Sequence, residues 1–94
     1  MTYLITTNSP GDAETFNKIS ERVERHAHGL LALYAGINDR GLAITSVWES
    51  KAHSDRFTVE HLMPAIRELM GEHTGGGITV DFDCFHEQIG APLT

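Results

Sequence analysis

Leu30-Leu31-Ala32-Leu33-Tyr34-Ala35-Gly36-Ile37, then Asn38-Asp39-Arg40-Gly41, then Leu42-Ala43-Ile44-Thr45-Ser46-Val47-Trp48: two runs rich in β-formers flank a cluster of turn residues. This pattern predicts a β-hairpin. On its return arm Leu42, Ile44, Ser46 and Trp48 point one way and Ala43, Thr45 and Val47 the other, because successive side chains of a strand alternate. On the first arm Leu31, Leu33, Ala35 and Ile37 face one side and Leu30, Ala32 and Tyr34 the other, so both faces are apolar. A strand with one wet face alternates with polar residues. The hairpin therefore belongs to a sheet that is to be covered on both sides.

Working outward, Tyr3 to Thr7 reads as a strand that stops at Asn8-Ser9-Pro10-Gly11. Ala13, Phe16, Ile19 and Val23 then recur at helical spacing, which predicts a helix over about 12–26, capped by Ser9 or Asp12. Its outer face carries Glu14 with Lys18 and Glu21 with Arg25, acid first, as suits a solvated helix. Beyond the hairpin, Ser50 is placed to cap a second helix over 51–70, with Phe57, Leu62, Ala65, Ile66 and Leu69 as its buried stripe. Pro64 lacks an amide donor and is expected to kink or split that helix. Gly71 and Gly75-Gly76-Gly77 read as a connection, since no Lys-Ser or Lys-Thr pair follows to make a phosphate loop. Ile78 to Phe85 is the last strand, with Val80, Phe82 and Cys84 opposite Asp81, Asp83 and Phe85.

The order β-α-β-β-α-β most simply forms an α+β, ferredoxin-like domain: a four-stranded antiparallel sheet with both helices on one face. The chain has 94 residues, enough for a single domain spanning 1–94. Helices cover only one face, and apolar surface left in water costs roughly 25 cal/mol per Å². A homodimer through sheet-on-sheet packing, closing two sheets into a dimeric α+β barrel, is the expected cover.

Composition narrows the partners. Hydrophobic residues make up 40% of the chain and charged ones 21%, which is the balance of a folded protein. Thirteen acidic against seven basic residues give a net charge of -6, which repels nucleic acid and anionic lipid. Neither nucleic acid nor membrane is an expected partner, no apolar run approaches a bilayer span, and the lone Cys84 suits a reducing cytoplasm. Cys84 itself reads as buried and inert, and Asp81 and Asp83 as a charged edge that blocks strand addition.

Six histidines invite a metal. None is expected, however: there is no His-x-x-x-His or paired-cysteine spacing, and His53 and His61 would sit about 12 Å apart along one helix. For catalysis the candidates are His61 and His53 as general bases. Trp48, Tyr34, Phe57 and His86 are the candidate substrate-binding residues, with Trp48 as a flat apolar wall and Tyr34 as a phenolic donor. Trp48 also reads as a core residue under the second helix, and His86 as a backbone partner at the sheet edge.

Val47-Trp48-Glu49-Ser50-Lys51, Asp55-Arg56-Phe57 and Glu60-His61-Leu62-Met63-Pro64-Ala65-Ile66 resemble the Trp-Glu-Ser, Arg-Phe and Leu-x-Pro-Ala signature of a known group. These are the small dimeric α+β barrel proteins of antibiotic-biosynthesis-monooxygenase-like type. The resemblance follows the element order of the whole chain and is sharpest from Gly41 to Gly71. It implies the ferredoxin-like fold, a homodimer and a small organic ligand. Activities in the group include cofactor-free oxygenation of polyketide quinols, haem degradation and isomerisation, so membership does not by itself select a reaction. Haem-degrading members carry a tryptophan on the second helix and a histidine further along. Here Phe57 stands where that tryptophan is expected and no histidine follows His61 before Gly71, which points away from haem. His53 and Ser54 replace a usually apolar pair and add polarity beside Trp48. The expected activity is oxygenation of an aromatic compound without a cofactor, which needs only a base, a dry cavity and a stabilising donor. The alternatives are a non-catalytic small-molecule-binding protein and a stress-related interaction protein whose pocket is filled by its own side chains.

Overall fold

The computed structural model describes residues 2–70, 77–86, 88 and 90. In chain order the elements are β1 (Thr2–Ser9), α1 (Ala13–Val23), β2 (Leu30–Asn38), β3 (Gly41–Trp48), α2 (Lys51–Phe57), α3 (Met63–Met70) and β4 (Ile78–Cys84). A 3-10 turn, Glu24–His26, extends α1, and a π-helical turn, Thr58–Leu62, joins α2 to α3. All of the expected Gly71–Gly77 connection except Gly77, and most of the tail from Glu87, lie outside the described residues.

Local chemistry sets the boundaries. Asp12 caps α1, its Oδ1 accepting from the Thr15 amide at 2.8 Å. That backbone bond holds the Asp12 carboxyl below its usual range. In the hairpin, Asn38 Oδ1 accepts from the Arg40 amide at 2.9 Å, and Gly41 takes φ +116 where a Cβ would lie 2.6 Å from the Ser9 carbonyl. The second helix splits before its proline. Pro64 offers no N–H and crowds the carbonyl one turn back, so the ladder widens and the Met63 amide donates to the Thr58 carbonyl, five residues earlier.

The four strands are ordered β2-β3-β1-β4, and every neighbouring pair is antiparallel. Directly opposed side chains share a face. One face therefore carries Tyr3, Ile5, Ser46, Trp48, Leu42, Asp81 and Asp83, and Trp48 lies against Phe57 of α2, so this is the helix side. Tyr3, Leu42 and Trp48 are buried there with Val23 of α1 and Ala65 of α3. Arg22 pairs with Glu68 and ties α1 to α3, whereas among the described residues no ion pair joins Glu21 to Arg25, its expected partner.

A register shift between Leu30 and Ala32 corrects the reading of β2. Leu30 opposes Trp48 and thus faces the helices, away from Ala32 and Tyr34; an inserted residue reverses the alternation at that point. Beyond it Leu33, Ala35 and Ile37 share the helix side, yet remain exposed because the helices do not reach this edge strand. The open face is apolar chiefly through β4. Ile78, Val80 and Phe82 are 54%, 60% and 53% exposed on it, with Tyr34 at 69%. Among the described residues no helix is long and apolar enough to cross a membrane.

Candidate functional site

At one end of the sheet Asp83, Tyr3, Trp48 and Leu30 form a row across all four strands. The Trp48 indole is 4% exposed, and its Nε1 donates to Ser46 Oγ at 2.9 Å, so the buried N–H is satisfied within its own strand. Phe57 packs over it with ring centroids 5.2 Å apart and planes tilted by 41°. His61 follows on the π-helical turn, 6.2 Å from Phe57, and is stacked on His26 at 4.2 Å with planes 7° apart. The result is an aromatic series from the core outward, Trp48, Phe57, His61, His26.

The outer two rings line a groove of about 210 Å³ between α1 and the π turn with α3, whose walls include Val23, Glu60, Ala65 and Glu68. His61 Nε2 lies 4.0 Å from Glu60 Oε2, within reach of an ion pair when the imidazole is protonated. A wider depression of about 460 Å³ runs along α1 past Lys18, Arg22 and Arg25 and holds none of the candidate catalytic or substrate-binding residues read from the sequence. Neither hollow reaches Trp48 or His53. Phe57 occupies the space above Trp48, where the sequence reading has Trp48 as the flat wall of a dry cavity.

His53 stands apart from this series, on the first turn of α2. Its Nδ1 is 2.7 Å from Ser50 Oγ, its Nε2 3.5 Å from Glu49 Oε2, and its ring lies against the Cα of Gly29. The two candidate bases thus do not converge. Tyr34 opposes Thr45 on the open face, the far side of the sheet from Trp48. His86 is exposed beyond the end of β4, where its carbonyl accepts from Cys84 Sγ at 3.0 Å. Cys84 is half-buried at the strand end rather than buried in its middle. Asp81 turns inward to accept from Tyr3 instead of only marking an edge. Among the described residues no three potential metal ligands come together.

Sequence reasoning missed His26, because its partner lies on a different element and spacing along one helix carries no signal of it. It also missed the contact of the cap Ser50 with an imidazole, although His at the third helical position, where a capping box has Glu or Gln, was a visible cue.

An antiparallel four-stranded sheet with helices on one face, in the order β-α-β-β-α-β, defines the ferredoxin-like α+β class. In sequence the chain matches no protein-family model and no curated protein; its similarity to known proteins is one of shape. It is similar to a proposed antibiotic biosynthesis monooxygenase of Bacteroides thetaiotaomicron, with 14% identity over 97% of this chain and 96% of that one and a TM-score of 0.67. It is equally similar to a variant of MhuD holding two manganese protoporphyrin IX molecules per active site, with 13% identity, 96% and 100% coverage and a TM-score of 0.67. SnoaB of Streptomyces nogalater, a cofactor-independent oxygenase, aligns at 12% identity over 92% and 93% of the two chains with a TM-score of 0.59. The resemblance read from the residues is upheld at the level of the fold.

Proposed function

We propose that the chain is one half of a homodimer that binds a small, flat aromatic compound in the groove beside His61 and oxygenates it without a bound cofactor. The observation that carries this reading is the position of His61, a titratable ring at the rim of a groove, with Phe57 behind it and His26 stacked on it. Such a ring takes a proton from a quinol-like substrate whose own ring lies against aromatic walls. The resulting electron-rich anion supplies the electrons to dioxygen; one oxygen atom enters the substrate and the other leaves as water. The role falls to His61 rather than His53, whose Nδ1 is engaged by Ser50. SnoaB, a cofactor-independent oxygenase, and MhuD, with its flat macrocycles bound, support both the reaction class and the shape of ligand on this fold.

The dimer is proposed from the open sheet face. Its rows, Thr2-Leu4-Thr6-Asn8, Ala32-Tyr34-Gly36, Ala43-Thr45-Val47 and Ile78-Val80-Phe82-Cys84, contain no charged side chain in a protein of net charge -6. A neutral, apolar face on an acidic molecule fits a second copy of itself.

Oxygen uptake with a panel of anthrones and naphthoquinols in metal-free buffer tests the reaction. Uptake lost in His61→Ala and retained in His86→Ala is expected; no uptake with any quinol sinks the enzymatic reading. The burial of Trp48 under Phe57 favours one other reading, a stress-related interaction protein whose pocket is filled by its own side chains. Such a protein shows neither oxygen uptake nor a ligand-induced rise in melting temperature.

A further inference from the structure

The hydrogen-bond order at the start of α2 carries a second chemistry, independent of the groove at His61. Ser50 accepts from the His53 amide through Oγ at 3.3 Å, which is all that capping the helix requires. The hydroxyl hydrogen is left over, and the imidazole takes it: Nδ1 is 2.7 Å from the same oxygen. The neutral imidazole that keeps its proton on Nε2, toward the Glu49 carboxylate at 3.5 Å, leaves the lone pair of Nδ1 for the Ser50 hydroxyl. The chain of polarity runs from the Glu49 carboxylate to Nε2–H, then from Nδ1 to the Ser50 hydroxyl.

The ring is also held from behind. Gly29, at φ +88, lies so close to it that a Cβ would be 2.5 Å from the imidazole, and the Gly29 carbonyl accepts from the Glu49 amide at 2.8 Å. Only glycine leaves room for His53 in this orientation. Ser50 and His53 are half-buried and Glu49 exposed, so the three residues lie at the surface of the protein.

We propose that Ser50 is a nucleophile, activated by His53 with Glu49 as positioning residue, that accepts acyl groups from small activated esters. Ser50 Oγ bonds to the ester carbonyl carbon as its proton passes to Nδ1. The carbon–oxygen bond to the leaving group then breaks, and the leaving oxygen takes that proton. Water, deprotonated in turn by His53, cleaves the acyl-serine to free acid and restores the hydroxyl. Ester and water are consumed, acid and alcohol released, with no change of oxidation state.

The test uses the intact protein with p-nitrophenyl acetate. Expected are release of p-nitrophenolate above the buffer rate and one acetyl group on Ser50 by peptide mass mapping. Ser50→Asn keeps a side-chain cap and is expected to lose both signals at an unchanged melting temperature, while Glu49→Gln slows acylation about tenfold or more. A wild-type rate in folded Ser50→Asn overturns the proposal. So does mapping of wild-type protein that finds acetyl only on lysines or histidines, a result that stands whether or not the variants fold. Neither outcome bears on oxygen uptake at His61.

Discussion

The Tyr3 hydroxyl donates to Asp81 Oδ2 at 2.6 Å from a side chain only 4% exposed. Burial first, and then the bond to Asp81 and its negative charge, push the phenol from its ordinary 10.0 up to about 12. The fold therefore favours the neutral phenol. Its contribution is fully present below pH 10 and is lost as pH rises through about 12, because the unfolded chain gives up the proton first. Tyr3→Phe is expected to lower stability at neutral pH by about 1 kcal/mol. It should also flatten this part of the decline above pH 10, read as the difference between wild-type and variant denaturant midpoints at each pH. Parallel alkaline limbs for the two proteins would show that the bond has no hold on the proton. Ser46 makes the same point without a charge, since a serine on a buried strand position is explained by the indole N–H of Trp48 that it accepts.

At the scale of elements, Pro64 acts one turn before itself. The π turn it imposes carries His61, and the His26 stack depends on where that turn points the ring. Pro64→Ala returns the missing donor and removes the clash with the carbonyl of Glu60, so α2 and α3 should join in one regular helix. Expected are a stronger helical ellipticity at 222 nm and downfield shifts of the His26 and His61 ring protons as the stack opens; ring shifts identical to wild type would refute the link. This break was half legible in the sequence. Pro64 announced it, but a proline alone does not tell a kink from a π turn. Caps and the hairpin were legible because Asp12, Ser50 and Asn38-Asp39-Arg40-Gly41 act on neighbours a few residues away. The shift at Leu30–Ala32 was not, since no glycine or proline marks it within an unbroken apolar run. The His26–His61 stack was hidden for a different reason: it forms between elements, and only the packing of α1 against the π turn and α3 creates it.

For the whole molecule the decisive quantity is how little of it is dry. Among the described residues the buried apolar side chains are Tyr3, Val23, Leu42, Trp48 and Ala65, all on the helix side or on the helices, while the other face of the sheet leaves Tyr34, Ile78, Val80 and Phe82 in water. Covering a large apolar side chain is worth roughly 1.5–3 kcal/mol. The central strands bring smaller side chains to the same surface, so a sheet from a second copy can lie flat on it. Facing it with a carboxylate reverses the balance, because a charge taken from water without a partner costs several kcal/mol. Phe82→Glu is therefore expected to weaken self-association by on the order of 100-fold or more. Light scattering at matched concentration should then give the mass of one chain, while Asn17→Glu on the exposed side of α1 keeps the mass of two. The helix-side core is untouched by Phe82, so the variant should retain its near-ultraviolet spectrum and the acetylation of Ser50, which draws on one protomer alone. Unmodified protein that scatters as a single chain at high concentration would remove the dimer and leave the apolar β4 face without its proposed cover.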